Sequence, residues 1–207
     1  MVEFVKASFT IEDEINGEEM LKKLERAART CYKSECKITD DSAPAFIKKL
    51  LNDYKHESVI EHEKITVRVI CDRGITHEIV RHRIGSYSQE STRYCDYGKQ
   101  GSIQVIVPFE FEGNAEAYEV WHKAMLSAEE AYNKLRALHI KPQWARSVLP
   151  NSLKTEIVIT YNLREWRHFF KLRTAPSAHP QIREIAVPLL AEFKRLIPVI
   201  FDDILVE

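Results

Sequence analysis

The stretch LKTEIVITYNLREWRHFFKLR, residues 153–173, decides the fold class because it joins a strand to a helix. Leu153 to Tyr161 alternates in polarity, as expected of a half-buried strand. Asn162-Leu163-Arg164-Glu165 then resembles a capping box, with Asn162 as the N-cap and Glu165 at the third helical position. The helical pattern continues through Leu172. A strand that passes directly into a helix predicts a domain that contains both kinds of element.

Two further strands are predicted from alternation. In Lys64–Cys71, the side chains Ile65, Val67, Val69 and Cys71 fall on one face, and Asp72-Arg73-Gly74 then breaks the pattern. Ile103–Val107 is the other strand, and Pro108 ends it. The sheet is therefore expected to be small.

Helical periodicity predicts the remaining elements. The predicted helices are Glu18–Tyr32, a helix with Ser42 as N-cap and Pro44 in its first turn, Ile75–Arg83, Asn114–His139, a short helix between Pro142 and Pro150, and a last helix from Pro180 with a kink at Pro188. The predicted loops are Lys33–Asp41, Cys95–Ser102 and Arg173–His179. We expect a single α+β domain over residues 1–207, with a small mixed or antiparallel sheet surrounded by helices.

Composition excludes several classes of function. The 207 residues are 44% hydrophobic and 29% charged with a net charge of -1, which argues against a dedicated nucleic-acid binder. The start, MVEFVKASFTIEDEI, lacks the apolar run of a signal peptide, and no segment is apolar enough to span a membrane. We therefore expect a cytoplasmic protein with no membrane or nucleic-acid partner, whose four cysteines are reduced thiols.

The segment RHRIGSYSQESTRY, residues 81–94, is where chemistry is expected. It holds three arginines and a histidine, and no acidic run nearby pairs with the arginines. The side chains of Arg81 and Arg83 would point to different faces of a helix, so they bind different ligands or the helix ends between them. Ser86–Thr92 is expected to be a polar loop whose backbone N–H groups could hold an anion. Arginine suits such a site because its planar fork gives phosphate two hydrogen bonds.

Arg81-His82-Arg83, followed after seven residues by Ser91, resembles the signature of the flavin-dependent thymidylate synthases. Lys55–His62, Ala145–Pro150 and Asn162–Arg173 resemble other blocks of that family, so the likeness covers about Arg26 to Leu190. The resemblance implies methylation of dUMP to dTMP, with methylenetetrahydrofolate as carbon donor and a hydride from FAD that NADPH has reduced. It also implies a homotetramer with shared active sites.

The same resemblance implies which residues bind the ligands. The implied FAD contacts are His56, Ser58, Arg81, His82, Arg83, Gln89, Asn162, Leu163, Arg164 and His168. The implied dUMP contacts are Glu78, Ile79, Val80, Arg81, Gln89, Glu90, Ser91, Thr92, Arg93, Arg146 and Arg173. Arg173 resembles the residue that activates the uracil, because a cation at the pyrimidine edge favours ionisation at N3. The sequence departs from the family at Glu78, Gln89 and His168, where other members carry glutamine, glutamate and asparagine.

Two other functions stay open on the sequence alone. A metalloenzyme could draw on His56, His62, His77, His82 and Cys71, but no HxxxH or CxxC pair is present, so no metal site is predicted. An Arg-rich nucleic-acid-binding module would bind duplexes with strong salt dependence. Ser91 is interpreted as a ligand contact, since no histidine can be assigned as its base, and Cys95 lies outside the signature.

Overall fold

The computed structural model describes residues 2–206, which form six strands, eight helices and four short 3-10 segments. The strands are β1 (Glu3–Val5), β2 (Ser8–Ile11), β3 (Lys64–Asp72), β4 (Ser86–Gln89), β5 (Gln104–Ile106) and β6 (Lys154–Asn162). The helices are α1 (Gly17–Tyr32), α2 (Ser42–Asn52), α3 (Arg73–Ile79), α4 (Tyr97–Gln100), α5 (Ala115–Ala137), α6 (Pro142–Ala145), α7 (Leu163–Arg173) and α8 (Pro180–Leu196). The predicted α+β class, a small sheet with helices around it, is confirmed.

The chain divides into two compact units. Unit 1 comprises Arg68–Arg81, Tyr87–Val158 and the N-terminal residues up to Ser8. Unit 2 comprises Phe9–Val67, His82–Ser86 and the C-terminal residues from Ile159. The prediction that the whole chain is one functional domain stays a prediction.

The strands form two sheets. One has four strands in the order β2-β3-β6-β4, and the other pairs β1 with β5 in parallel, so that Phe4 faces Val105. Along β6 the side chains alternate between buried and half-buried positions, as the sequence pattern predicts. The pairing of β3 with β6 is reinforced in unit 2 by Thr66 and Thr160, whose hydroxyl oxygens lie 3.0 Å apart.

The core of unit 1 lies between α5 and the β1–β5 pair. Trp121, Met125 and Tyr132 on α5 pack with Val105 and Leu153 in one buried cluster. These α5 residues recur at spacings of four and seven, which is why the long helix buries one face. The Trp121 indole N–H donates to Ser152 Oγ at 3.0 Å, which ties α5 to the start of β6.

The core of unit 2 is built on α7. Trp166 stacks on Phe170 with 5.6 Å between ring centroids, and both rings contact Phe193 of α8. The Trp166 indole N–H donates to the carbonyl of Ile65 on β3 at 3.0 Å. Because α7 is anchored by these fully buried rings, its remaining faces can hold polar side chains in fixed positions.

Most predicted elements are confirmed within one or two residues at their ends, and the kink at Pro188, which lies inside α8, stays a prediction. The short strands β1 and β2 were missed, and α4 forms one turn in a predicted loop. Ser42 is the first residue of α2 and not its N-cap. Its hydroxyl donates to the buried Glu25 carboxylate at 2.8 Å, so a long-range contact outweighs capping.

Among the described residues, every helix is too short or too polar to cross a membrane.

Candidate functional site

The predicted site residues fall into two sets, one in each unit. Unit 1 holds most of the implied nucleotide contacts, and unit 2 holds most of the implied flavin contacts together with Arg173.

The signature segment follows the end of α3. The predicted helix Ile75–Arg83 is wrong at its end, since α3 stops at Ile79 and the chain turns at Val80 and Arg81. Asp72 caps this helix by accepting from Ile75 N–H at 2.8 Å, so the helix also begins earlier than predicted. Past the helix, Arg81 and Arg83 are exposed while His82 between them is buried, as in an extended segment. The two arginines therefore do not need to share a helical face.

A close approach fixes the next part of the segment. A Cβ on Gly85 would lie 2.2 Å from Cδ1 of the buried Tyr161 ring, so only glycine fits this position without a shift of the backbone. Ser86–Gln89 then forms β4, which corrects the predicted loop over Ser86–Thr92. Its side chains alternate between exposed and half-buried positions, and the half-buried ones are Tyr87 and Gln89. The strand was missed because it offers no aliphatic alternation.

Gln89 is held by unit 1 on both sides. Its amide nitrogen lies 3.1 Å from Thr76 Oγ1 of α3 and 3.2 Å from Thr155 Oγ1 of β6. Both amide N–H groups are thus engaged, and the carbonyl oxygen is the part that Gln89 can offer a ligand as an acceptor.

Glu90 is a structural anchor of the strand end. One carboxylate oxygen accepts from the Tyr97 hydroxyl at 2.7 Å, and the other lies 3.1 Å from Lys154 Nζ. Burial, together with Glu90, raises the pKa of Tyr97 well above its ordinary value, so Tyr97 is a neutral donor. Glu90 and Lys154 line a cleft of about 460 Å³ with Arg68, which is paired with Glu156. The predicted contact of Glu90 with dUMP stays a prediction.

A turn after β4 presents the basic residues of unit 1. The Ser91 carbonyl accepts from Tyr94 N–H at 3.1 Å and from Cys95 N–H at 2.8 Å, which closes a single helical turn. Thr92 is buried, and its hydroxyl accepts from Arg146 at 3.1 Å. Arg93 is exposed, with its guanidinium 5.3 Å from the Tyr94 ring centroid. Arg93 and Arg146 are thus anchored by neutral partners and keep their charge available to an anion.

The remaining nucleotide candidates of unit 1 lie at the end of α3. Glu78 is half-buried and Val80 is exposed, whereas the side chain of Ile79 is buried in the core. The Ile79 carbonyl accepts from the Tyr87 hydroxyl at 3.2 Å. These three predicted contacts stay predictions, and Ile79 has no exposed side-chain surface for one.

In unit 2, the start of α7 is as predicted. Asn162 is the N-cap, and its side-chain oxygen accepts from Glu165 N–H at 2.8 Å. Leu163 is fully buried, and its N–H donates to the backbone carbonyl of Glu63 at 3.0 Å, so it supports the helix from the core. Arg164 is half-exposed and forms an ion pair with Glu61 at 2.6 Å. Its charge is therefore partly balanced before any ligand binds.

The start of α7 opens onto a cleft of about 450 Å³. Its lining residues are Glu57, Glu61, Ile84, Asn162, Arg164, Glu165, His168 and Lys171. The cleft thus brings together three of the predicted flavin contacts, Asn162, Arg164 and His168. The other lining residues were not predicted as contacts, because no local sequence pattern marks them. Ile84 is 67% exposed, which is unusual for an isoleucine and leaves an apolar surface at this cleft.

The cleft suits part of a flavin dinucleotide. Its volume falls within the ~300–1,000 Å³ of small-molecule sites. It joins a helix N-terminus, which favours a phosphate, to the cations Arg164 and Lys171 and to the exposed Ile84. The helix N-terminus, the two cations and Ile84 suit FAD, and Glu57 and Glu61 hold the cations in place, although the carboxylate of Glu165 also lines the cleft.

Ser58 lies in the 3-10 segment Glu57–His62 before β3, and His56 is its N-cap. Both are exposed, and His56 Nδ1 lies 2.9 Å from the Tyr32 hydroxyl. They belong to unit 2, as do the cleft residues, but they do not line the cleft.

The buried histidine of the signature joins Arg173 to an acid. Arg173 Nε donates to His82 Nε2 at 3.0 Å, and His82 Nδ1 lies 3.1 Å from Glu165 Oε1. His82 is 3% exposed and Glu165 is 6% exposed, so water hardly competes for these bonds. Burial raises the pKa of Glu165, and the electrostatic interaction with the nearby His168 partly opposes this rise. Sequence analysis assigned Glu165 only a capping role and missed this contact across 83 residues.

A metal-binding alternative is less well supported than ligand binding. His82, Glu165 and His168 could offer three ligand atoms within 4.8 Å of one another. However, His82 uses one nitrogen toward Arg173 and the other toward Glu165, so an ion would have to displace one of them. Cys71, from the set considered in the sequence, is a buried thiol whose pKa burial raises to about 12, so it is a poor thiolate ligand.

Four of the arginines that are predicted ligand contacts share one property. Within residues 2–206, Arg81, Arg83, Arg93 and Arg146 form no ion pair with a carboxylate, and all four are exposed. In contrast, Arg68, Arg136, Arg164 and Arg167 each pair with an acid. Arg26 is also exposed without a carboxylate partner among the described residues, so a missing acid indicates an anion contact only together with the sequence pattern.

Comparison with known proteins identifies the family. A family model described as "Thymidylate synthase complementing protein" matches residues 15–199. A flavin-dependent thymidylate synthase from Geobacter sulfurreducens is 37% identical over 184 residues, which cover 86% of this chain and 78% of that protein. One from Pyrococcus abyssi is 37% identical over 161 residues, but the match spans only 66% of its length and 77% of this chain.

Solved structures share the fold. A UMP/dUMP methylase from Streptomyces cacaoi, crystallised with 5-Br dUMP, superimposes with a TM-score of 0.81 at 22% identity, covering 97% of this chain and 95% of that one. From the extent of the family match and the identity to its members, the chain belongs to the flavin-dependent thymidylate synthases, the family of thymidylate synthase complementing proteins.

Proposed function

We propose that this protein methylates dUMP to dTMP, taking the carbon from methylenetetrahydrofolate and the hydride from FAD reduced by NADPH. Relatives that match most of the chain are named as flavin-dependent thymidylate synthases, and a protein of the same fold is named as a UMP/dUMP methylase. The observation that carries the proposal is the set of exposed signature arginines without carboxylate partners.

In unit 1 the turn at Ser91–Cys95 is proposed to hold the nucleotide phosphate. Arg93 and the Arg146 guanidinium, which donates to Thr92, supply the charge, and the Ser91 hydroxyl supplies a further polar contact. Gln89 and Glu90 fix the strand that carries this turn, because both are tied to β6 residues. Ser91 is proposed as a ligand contact and not as a nucleophile, because its hydroxyl meets Arg93 N–H and no histidine base is bonded to it within the described residues.

In unit 2 Arg173 is proposed to activate the uracil. C5 of the pyrimidine is a weak nucleophile, and a cation beside the ring stabilises the negative charge that develops as C5 attacks. Arg173 is half-buried at the last turn of α7, where water screens its charge less than on an open surface. The Nε–H of Arg173 donates to His82 Nε2, with 3.0 Å between the nitrogens, and this bond limits the directions that the guanidinium can take.

The cleft at the start of α7 is proposed to hold FAD. Asn162, Arg164 and His168 line it, and Arg83 is proposed to add charge toward its phosphates. Arg81 stays a proposed FAD contact on the strength of the family signature alone. When bound, FAD supplies the hydride chemistry, while this chain supplies position and electrostatic field. His56 and Ser58 are proposed as further contacts at the rim.

The wider assembly is also part of the proposal. We expect a homotetramer with shared active sites, folate and NADPH as further ligands, and a cytoplasmic location. The nucleic-acid-binding alternative lacks support, because the chain has a net charge of -1.

The proposal is tested with the purified chain. We expect yellow protein, or protein that FAD reconstitutes, whose flavin absorbance NADPH bleaches and which forms dTMP when dUMP and methylenetetrahydrofolate are added. Protein that binds no FAD on reconstitution, or that binds it and forms no dTMP, contradicts the proposed function. Stoichiometric zinc in colourless protein would favour the metal-dependent alternative.

A further inference from the structure

We propose that Glu165 is a positioning residue, which acts through His82 to fix the guanidinium of Arg173. The inference rests on the proposed function in that it makes Arg173 the group whose position matters for catalysis. It adds a residue that neither the signature nor the predicted ligand contacts include.

The hydrogen bonds determine which nitrogen of His82 carries the proton. An arginine Nε–H is always a donor, so His82 Nε2, at 3.0 Å, must be an acceptor without a proton. A neutral imidazole then carries its proton on Nδ1, and that N–H points at Glu165 Oε1 at 3.1 Å. The three groups form a chain in which Glu165 accepts from His82 and His82 accepts from Arg173. The opposite tautomer would set two N–H donors against each other.

Helix α7 supplies the spacing for this series of hydrogen bonds. Glu165, Phe169 and Arg173 are separated by four residues each, so they lie along one face of α7. The His82 ring packs edge-on against Phe169, with 5.1 Å between ring centroids, and bridges the acid at one end of this face and the arginine at the other. His82 and Glu165 are buried, and Phe169 is 2% exposed, so the bridge is enclosed.

This arrangement has a consequence for Arg173. The Nε–H of Arg173 is bonded to His82, so a substrate would be met by the terminal nitrogens of a guanidinium whose plane His82 helps to set. Orientation of a group that stabilises a transition state affects turnover more than ground-state binding. Without the Glu165 carboxylate, either tautomer of His82 is available, and one of the two drives Arg173 away.

The test compares Glu165→Gln and Glu165→Leu, with Glu192→Gln as a matched control on the exposed face of α8. We expect kcat to fall about 10-fold for glutamine, which can still accept, and about 100-fold for leucine, with the KM for dUMP changed less than about threefold. Flavin content and melting temperature of the glutamine variant should stay close to wild type. Adding Glu165→Gln to Arg173→Lys should lower kcat by less than about threefold, since both act on one group.

A second measurement does not depend on activity. The ¹⁵N NMR spectrum of histidine-labelled, ligand-free protein, with His82 assigned through His82→Asn, should show His82 protonated at Nδ1 and bare at Nε2. An Nε2–H tautomer in the wild type overturns the inference, as does a Glu165→Leu variant with wild-type kcat. If the wild type shows the Nδ1–H tautomer but makes no dTMP, the proposed function fails while the hydrogen-bonded chain stands.

Discussion

Arginine is used in opposite ways at the Ser91–Cys95 turn of unit 1 and at Arg167 of unit 2. In unit 1 the arginines around the Ser91–Cys95 turn, Arg93 and Arg146, are exposed and have neutral partners. On α7 of unit 2, Arg167 is 2% exposed and gives hydrogen bonds to Asp203 and Glu57. The number of arginines in a segment thus says less about function than the partner each one has.

The difference separates binding from stability. An exposed arginine without an acid can bind an anion, and removal of Arg93, whose guanidinium lies over the exposed Tyr94 ring, leaves no buried carboxylate without a counter-charge. A buried arginine between two acids holds elements together, and its removal leaves carboxylates without a counter-charge. Arg173 differs from both cases, since a buried imidazole accepts from its Nε–H and so orients the guanidinium.

The largest effect on stability is expected for Arg167→Met. The Arg167 side chain bridges α7 to the C-terminal segment through Asp203 at 2.6 Å and the Ile200 carbonyl. Its loss should lower the free energy of unfolding by about 3 kcal/mol. That corresponds to a melting temperature lower by about 6–12 °C in a thermal scan.

The control for that variant is Arg195→Met. Arg195 is paired with Glu192 on the exposed face of α8, and exposed pairs contribute less than about 1 kcal/mol. If both variants lose the same stability, the distinction between buried and exposed arginines is wrong.

For Arg93→Ala the comparison predicts a loss of binding without a loss of stability. A charge-assisted hydrogen bond contributes about 1.5–3 kcal/mol, so the KM for dUMP should rise about 10- to 100-fold. The melting temperature should stay within about 2 °C of wild type. Steady-state kinetics and a thermal scan of the same preparation measure both. A variant that melts much earlier, with an unchanged KM, would show that Arg93 is structural.

The smallest effect concerns pH. The hydrogen bond from Arg167 lowers the pKa of Asp203, so the pair stabilises the fold above the ordinary carboxyl range and loses this contribution as pH falls through the folded-state pKa. Because Asp203 is 39% exposed, the contribution should be about 1 kcal/mol or less. Asp203→Asn should therefore be slightly less stable at pH 7 and lose less stability than wild type between pH 5 and pH 3, values at which the carboxyl titrates. Parallel curves for the two proteins would refute the assignment.

The elements with strong local signals could be predicted from the sequence. The β6–α7 junction was predicted because alternation ends at Asn162, whose side chain caps the helix as expected. Strand β4 was missed, because Tyr87 and Gln89 are half-buried by contacts from α3 and β6 that leave no apolar pattern in Ser86–Gln89. Alternation of polarity predicts a strand only when the side chains on its buried face are apolar.

The chemistry of the site could be predicted only in part. Motif spacing marked the exposed arginines and His82, but it could not show that His82 is buried between Arg173 and Glu165. The partners are separated by 91 and 83 residues, and such pairing is set by tertiary packing. Glu165 also stands at the third position of a helix, where a capping box has a glutamate. That local role explained the residue, so its long-range contact with His82 was not expected.

Turnover of flavin-loaded Arg173→Ala at saturating dUMP tests the central claim most directly. If Arg173 stabilises the charge that develops on the uracil, dTMP formation should fall about 10²- to 10³-fold, the loss typical of removing one such donor. Flavin content should match the wild type, because the cleft at the start of α7 does not include Arg173. A flavin-loaded variant that forms dTMP within about threefold of the wild-type rate would contradict the account.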